Sequence, residues 1–302
     1  MPAADHEVRE LRVMTVHAHP DDEASKGAGT IARYASEGVG TVLVCCTGGE
    51  AGDVLNTDLD APELRANLPA VRHRELQESV RIIGYGSLHL LGYRDSGMPG
   101  TDANADPRNF ANAPLDEAVG RLVALIRAER PHVVVGYGPD RVYAHPDHIR
   151  VHEIGEVAFD RAGDPDWYPD AGPLWQPRKL YWSAGFTRGR LVSMHEWFLA
   201  RGEESPFAEW LEALSDDHDA AVTTRVDVRE FAAVARDALL AHRTQIPADS
   251  FLLTIPVEDA AERHPWDEYV LARSLVGLAS TGGYEDDLFA GVRTADEATG
   301  TA

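Results

Sequence analysis

His17-Ala18-His19-Pro20-Asp21-Asp22-Glu23 is answered far along the chain by His145-Pro146-Asp147-His148. Each stretch follows an apolar run of strand length, residues 11–16 and 132–137, and each opens a helical pattern. In both, proline stands where a helix begins, a position that tolerates its fixed φ and missing N–H. The pattern predicts two strand-to-helix turns carrying imidazoles and carboxylates. In an open α/β sheet such turns gather at the carboxyl edge, where ligands bind. Two histidines and one carboxylate facing a common point there make a metal site with positions open for water and substrate.

Working outward, strand signals at 41–46, 87–91 and 133–135 alternate with helical ones at 27–37, 63–83, 115–130 and 147–161. Pro69 must delay or break the start of the second helix. This rhythm predicts an α/β fold, a Rossmann-like, mainly parallel sheet with helices on both faces. Past residue 164 prolines and tryptophans cluster. Strands are expected there at 179–183, 222–228 and 251–257, and helical pieces at 207–214, 230–242 and 266–278. The expected organisation is a catalytic core over 1–163, a smaller mixed α+β portion over 164–292 completing the sheet and pocket, and a disordered tail over 293–302.

Composition narrows the partners. With 28 basic and 50 acidic residues the net charge is −22, which argues against nucleic acid and anionic membranes. No apolar run approaches a membrane span, and the N-terminus lacks a signal-peptide core. The only cysteines, Cys45 and Cys46, are strand neighbours pointing to opposite faces, so a disulfide framework is excluded and a cytoplasmic location is expected.

His19, Asp22 and His148 are assigned to the metal, which leaves Asp21 beside it as general base for an attacking water. Tyr143 and His145 supply donors to a developing oxyanion, and Asp147 holds the ring of His145. His17 either supports this site or packs structurally, His152 either supports it or lies at the surface, and Glu23 favours the helix N-terminus. Three further groups end on the same edge. Glu50 follows a glycine-rich turn that lacks the Lys and Ser/Thr of a phosphate loop. Asp95 and Met98 sit in a polar loop that suits hydroxyl recognition or is a plain turn, and Arg72 points into the site or into solvent.

The pairing of Ala18-His19-Pro20-Asp21-Asp22-Glu23 with His145-Pro146-Asp147-His148 resembles the LmbE-like zinc de-N-acetylase superfamily, over nearly the whole chain. Within it, Ser25-Lys26-Gly27-Ala28, Thr47-Gly48-Gly49-Glu50, Lys179-Leu180-Tyr181 and the stretch from Glu285 to Gly291 are more similar to the mycothiol S-conjugate amidase branch than to the N-acetylglucosaminyl-inositol deacetylase branch. The resemblance implies a Rossmann-like fold and Zn2+, with Fe2+ as the second candidate, on His19, Asp22 and His148. It implies Asp21 as base, Tyr143 and His145 as electrophilic helpers, and Arg72, Asp95 and Glu50 near a sugar–inositol. Lys26 stands where the amidase carries lysine, within reach of the N-acetyl carbonyl of an S-conjugate. The implied partner is a small-molecule thiol–glycoside conjugate met in detoxification or in an antibiotic pathway, by a monomer or a homo-oligomer. His264-Pro265-Trp266 departs from the family's Pro-Thr-Glu pattern at one edge of the pocket. Two other classes fit less well. A non-catalytic binding module has no need of Asp21, and a two-histidine, one-carboxylate iron oxygenase leaves Asp21 and Tyr143 without roles.

Overall fold

Residues 13–17 are buried on both faces because they belong to an inner strand of a sheet covered on both sides. The computed structural model describes residues 10–139, 144–215, 218–247, 249–276 and 283–293, the side chain of residue 218 excepted. The first half runs β1 (Arg12–His17), α1 (Asp22–Ser25), α2 (Ala28–Ser36), β2 (Gly40–Thr47), α3 (Pro62–Ala66), α4 (Leu68–Ile83), β3 (Ser87–Tyr93), α5 (Asp102–Ala105), α6 (Leu115–Glu129), β4 (Val133–Tyr137) and α7 (Pro146–Arg161). The second runs β5 (Lys179–Ser183), α8 (Arg188–Leu199), α9 (Ala208–Ala213), β6 (Thr224–Asp227), α10 (Ala232–Ala241), α11 (Phe251–Thr254), α12 (Val257–Arg263) and β7 (Trp266–Ser274). Asn67 separates α3 from α4, and Pro69 stands in the first turn of α4, the break that proline demands.

The sheet order is β3-β2-β1-β4-β5-β7-β6. The first five strands are parallel, and β7 pairs antiparallel with both β5 and β6. The chain steps outward from β1 to β3 and then returns to the far side of β1 at β4. The crevice between the carboxyl ends of β1 and β4 is thus the switch point where open α/β sheets bind ligands. Met14, Val16 and Val44 pack with Leu122 and Ile154 on one face. Val13, Leu43 and Cys45 pack with Ile31 and Leu76 on the other. Each such aliphatic side chain, fully buried, stabilises by about 1.5–3 kcal/mol. Cys45 and Cys46 fall in opposite cores, as neighbours in a strand must.

Two expected elements exchange identity. Residues 266–278, read as a helix, contain strand β7. Its pairing passes from Leu180–Arg273 to Tyr181–Leu271, so Ala272 is an extra residue. That bulge breaks the period-two alternation by which a strand is recognised. Residues 251–257, read as a strand, form α11 and the start of α12. The Ser250 hydroxyl accepts the Leu252 N–H, and Pro256 precedes α12. Phe251 and Ile255 join Leu191, Trp197 and Phe207 in a third, small core.

The C-terminal stretch is fastened to the sheet by charge. Lys179 and Glu285 are both buried, and Lys179 Nζ lies 3.0 Å from both Glu285 oxygens. Tyr181 and Thr224 also donate to that carboxylate, at 2.6 and 3.3 Å. Glu285→Ala strands a buried ammonium, so it is expected to cost about 3–5 kcal/mol in urea unfolding. A loss below about 1 kcal/mol, the range of exposed pairs, contradicts that reading.

Candidate metal and active site

His17, which ends β1, is buried, with its Nδ1 3.0 Å from Tyr137 Oη. The chain then turns sharply through Asp21, at φ +97° and ψ −24°. A non-glycine residue held there stores on the order of 1–3 kcal/mol of strain. The Asp21 N–H donates to Glu23 Oε2 at 2.9 Å. Arg72 donates to Asp21 Oδ2 at 2.9 Å, to the Pro20 carbonyl at 2.7 Å and to the Gly49 carbonyl. Burial pushes the Asp21 carboxyl above its ordinary pKa, with the Arg72 guanidinium opposing.

His19, Asp22 and His148 offer ligand atoms within 4.8 Å of one another. Asp22 Oδ2 lies 3.5 Å from His19 Nδ1 and 3.3 Å from His148 Nε2. Two of the three ligands, His19 and Asp22, are braced on their far sides. His19 Nε2 lies 3.2 Å from Asp147 Oδ2, a pairing that in the neutral ring places the proton on Nε2 and leaves Nδ1 the lone pair a metal takes. Asp22 Oδ1 is held by Lys26 Nζ at 2.5 Å, one helical turn on. Burial alone would lower the His19 pKa, but the Asp147 hydrogen bond and those to Asp22 and Asp95 raise it well above the usual value. Asp22, despite burial, is held well below the carboxylate range by Lys26 and His148. Two imidazoles and a carboxylate braced by carboxylate and ammonium partners fit a divalent metal with open positions.

The remaining expected residues divide. His145 caps α7, its Nδ1 accepting the Asp147 N–H at 3.2 Å, which leaves the proton on Nε2. Burial, with His19 beside it, lowers its pKa to about 4, which makes the ring a neutral donor. Its ring stands edge-on to His19 at 4.5 Å. Asp147 holds that ring through its backbone N–H and not through its carboxylate. It sits fully buried in the first turn of α7 and spends its carboxylate on His19 and on the backbone and hydroxyl of Ser96. Lys26 does not point freely at a substrate, because the four-residue spacing brings its ammonium onto Asp22. Arg72 faces neither solvent nor an open cleft: it is 3% exposed and clamps the two loops on either side of it. Asp95 is buried, accepting the Gly97 N–H at 2.8 Å and the Ala51 N–H at 3.3 Å. Met98 is exposed, and Glu50 Oε2 is buried with no hydrogen-bond partner among the described residues. His152 lies one layer away, with Nδ1 3.0 Å from the Tyr137 carbonyl. Tyr143 lies outside the described residues.

A cavity of about 460 Å³ opens beside His148 and Lys26. Its walls include Tyr137, Trp182, Phe186, Val222 and Val270. Trp182 is anchored by Glu156, which accepts its indole N–H at 3.1 Å and pairs with Arg273. Two polar residues on the inner face of α4, Glu75 and Ser79, escaped the sequence reading. With Arg72 they fall at helical spacing among buried Leu68, Leu76 and Ile83. That apolar stripe with polar members was the signal.

Residues 14–159, from β1 to α7, match the family described as GlcNAc-PI de-N-acetylase, PIG-L. A mycothiol S-conjugate amidase from Streptomyces coelicolor is 43% identical over 291 residues, covering 94% of this chain and 98% of that protein. A 1D-myo-inositol 2-acetamido-2-deoxy-alpha-D-glucopyranoside deacetylase from Geodermatophilus obscurus is 42% identical, covering 93% and 98%. The N,N'-diacetylchitobiose deacetylase of Pyrococcus horikoshii superposes with a TM-score of 0.60 over 87% of this chain and 84% of its own, at 18% identity, a likeness of fold. No described helix is long and apolar enough to cross a membrane. Shared length, a sheet with its switch point at β1 and β4, and a His-Asp-His cluster in that crevice put this chain in the PIG-L/LmbE-like family of metal-dependent enzymes that hydrolyse amide bonds.

Proposed function

We propose that the protein is a zinc-dependent amidase that cleaves the amide joining an S-substituted N-acetylcysteine to glucosaminyl-inositol, the substrate class named by its Streptomyces coelicolor relative. The observation that carries this reading is the 460 Å³ cavity on the His148 side. It falls within the range of about 300–1,000 Å³ that encloses drug-sized ligands, far more than an acetyl group fills. Its aromatic and aliphatic walls suit a thioether substituent.

His19, Asp22 and His148 hold the zinc, which when bound polarises the scissile carbonyl and the attacking water. Asp21 takes the proton from that water on Oδ1, since Oδ2 is engaged by Arg72. The raised pKa of the carboxyl suits it to pass the proton on to the leaving nitrogen. Oxygen adds to the carbonyl carbon and the C–N bond breaks. The products are the amine of glucosaminyl-inositol and the carboxylate of the S-substituted N-acetylcysteine. His145, protonated on Nε2 and neutral, donates to the oxyanion that forms on the way. Glu50 accepts from a hydroxyl of the sugar–inositol, a role supported by its buried oxygen, which has no partner among the described residues.

The second reading, an N-acetylglucosaminyl-inositol deacetylase, shares every one of these steps and is favoured by an almost equal identity of 42%. The acyl cavity separates the two. Ala221, exposed at its wall, accepts a larger side chain. Ala221→Trp is expected to lower kcat/KM for a mycothiol S-conjugate at least about tenfold and to leave acetyl removal within about threefold. Equal losses on both substrates, or none, overturn the cavity as acyl site.

A further inference from the structure

The strained turn at Asp21 raises the question of what holds it. Its N–H donates to one oxygen of Glu23, and the other Glu23 oxygen accepts from Ser79 Oγ and His242 Nε2, each at 2.5 Å. Glu23, Ser79 and His242 are all fully buried, at 1%, 0% and 0% exposure. The donors reach Glu23 from α4 and from the end of α10, elements remote in sequence.

His242 is itself fixed from several sides. Its carbonyl accepts the Gln245 and Ile246 N–H groups, closing a tight turn. Thr244 in that turn donates its N–H and hydroxyl to Glu75 at 2.9 and 2.6 Å, which ties the turn to α4. The Thr244 carbonyl accepts Leu55 N–H, and Gln245 Nε2 donates to the Asp53 carbonyl at 3.0 Å, which ties it to the loop after β2. The ring is thus wedged under the loop after β1 by three parts of the fold.

We propose that His242, acting through Glu23, is a positioning residue for the base Asp21. The inference rests on the assignment of Asp21 above. Glu23 can keep the Asp21 N–H satisfied only while its other oxygen is anchored. Without His242 the carboxylate can rotate away, the N–H loses its acceptor, and the backbone relaxes toward negative φ. Asp21 Cβ then swings, and its carboxylate leaves the line between Arg72 and the attacking water. His19, Asp22 and His148 make no hydrogen bond to His242 among those described, so the metal stays.

The test compares His242→Ala, His242→Gln, Glu23→Gln and Asp21→Asn in metal content, melting temperature, kcat and KM. A displacement of the base near 1 Å costs on the order of 10²-fold, so His242→Ala is expected to lose about 10–100-fold in kcat per bound metal with KM within about twofold. His242→Gln, whose amide can still donate to Glu23, recovers part of that loss. Glu23→Gln keeps the volume but cannot accept from all three donors, and it loses kcat in the same way even if His242→Ala does not fold. A lowered melting temperature with wild-type kcat per bound metal makes the network merely structural and overturns the proposal. So does a loss carried by KM, or by departure of the metal. Normal turnover in Asp21→Asn overturns the base assignment and this inference together. Normal turnover in His242→Ala and Glu23→Gln beside an inactive Asp21→Asn overturns this inference alone.

Discussion

Asp21→Asn is expected to keep its metal while turnover falls by about 10²–10⁴, the usual cost of losing a general base. The substitution is clean for structural reasons. After glycine, asparagine tolerates the positive φ of this turn better than other replacements. Its amide oxygen can still accept from Arg72, and its N–H still donates to Glu23. Asp21 is not among the three groups that converge on the metal position, so ligation is untouched. What disappears is the basic oxygen that takes the proton. Kinetics with metal analysis on the same sample read both halves. Near-normal turnover with metal retained contradicts Asp21 as the base.

His19→Ala and His148→Ala are each expected to strip the metal and, with it, all measurable turnover. Each removes one of three ligand groups, one from the turn after β1 and one from the first turn of α7. The loss should exceed the effect of removing an outer partner, which is typically about 10–100-fold in metal affinity. His19→Ala also deprives Asp147 Oδ2 of its imidazole donor, leaving that buried carboxylate on Ser96. Metal content after dialysis reads the result, and full occupancy in the double variant contradicts the ligand assignment.

The turn after β1 and the start of α7 were legible because each packs its chemistry into a few consecutive residues behind an apolar run. The parallel half of the sheet was legible for a related reason. Strands buried on both faces are continuous apolar runs, and the helices between them keep a regular period. The second half lacks both aids. The bulge at Ala272 slips the alternation of β7, and the apolar run at 251–255 has the length of either a strand or a buried helix. Helix α8 went unread although Thr187 caps it and Leu191, Trp197 and Phe198 keep helical spacing. Side-chain roles were harder than positions. The Asp147 carboxylate belongs to His19 rather than His145, and Lys26 to Asp22 rather than to a substrate, because both pairings depend on how side chains from separate turns meet. His242 carried no local signal at all. Its partner Glu23 lies 219 residues away, and a lone histidine after a helix reads as an ordinary C-terminal cap.

The central claim is tested most directly by the primary amine released from a mycothiol S-conjugate and from N-acetylglucosaminyl-inositol by the zinc-loaded protein. The account predicts a kcat/KM for the S-conjugate higher by at least about tenfold, some 1.4 kcal/mol of differential transition-state binding, with both activities lost on chelation and restored by zinc. A preference for the acetyl substrate, or amine release that survives complete removal of metal, would contradict it.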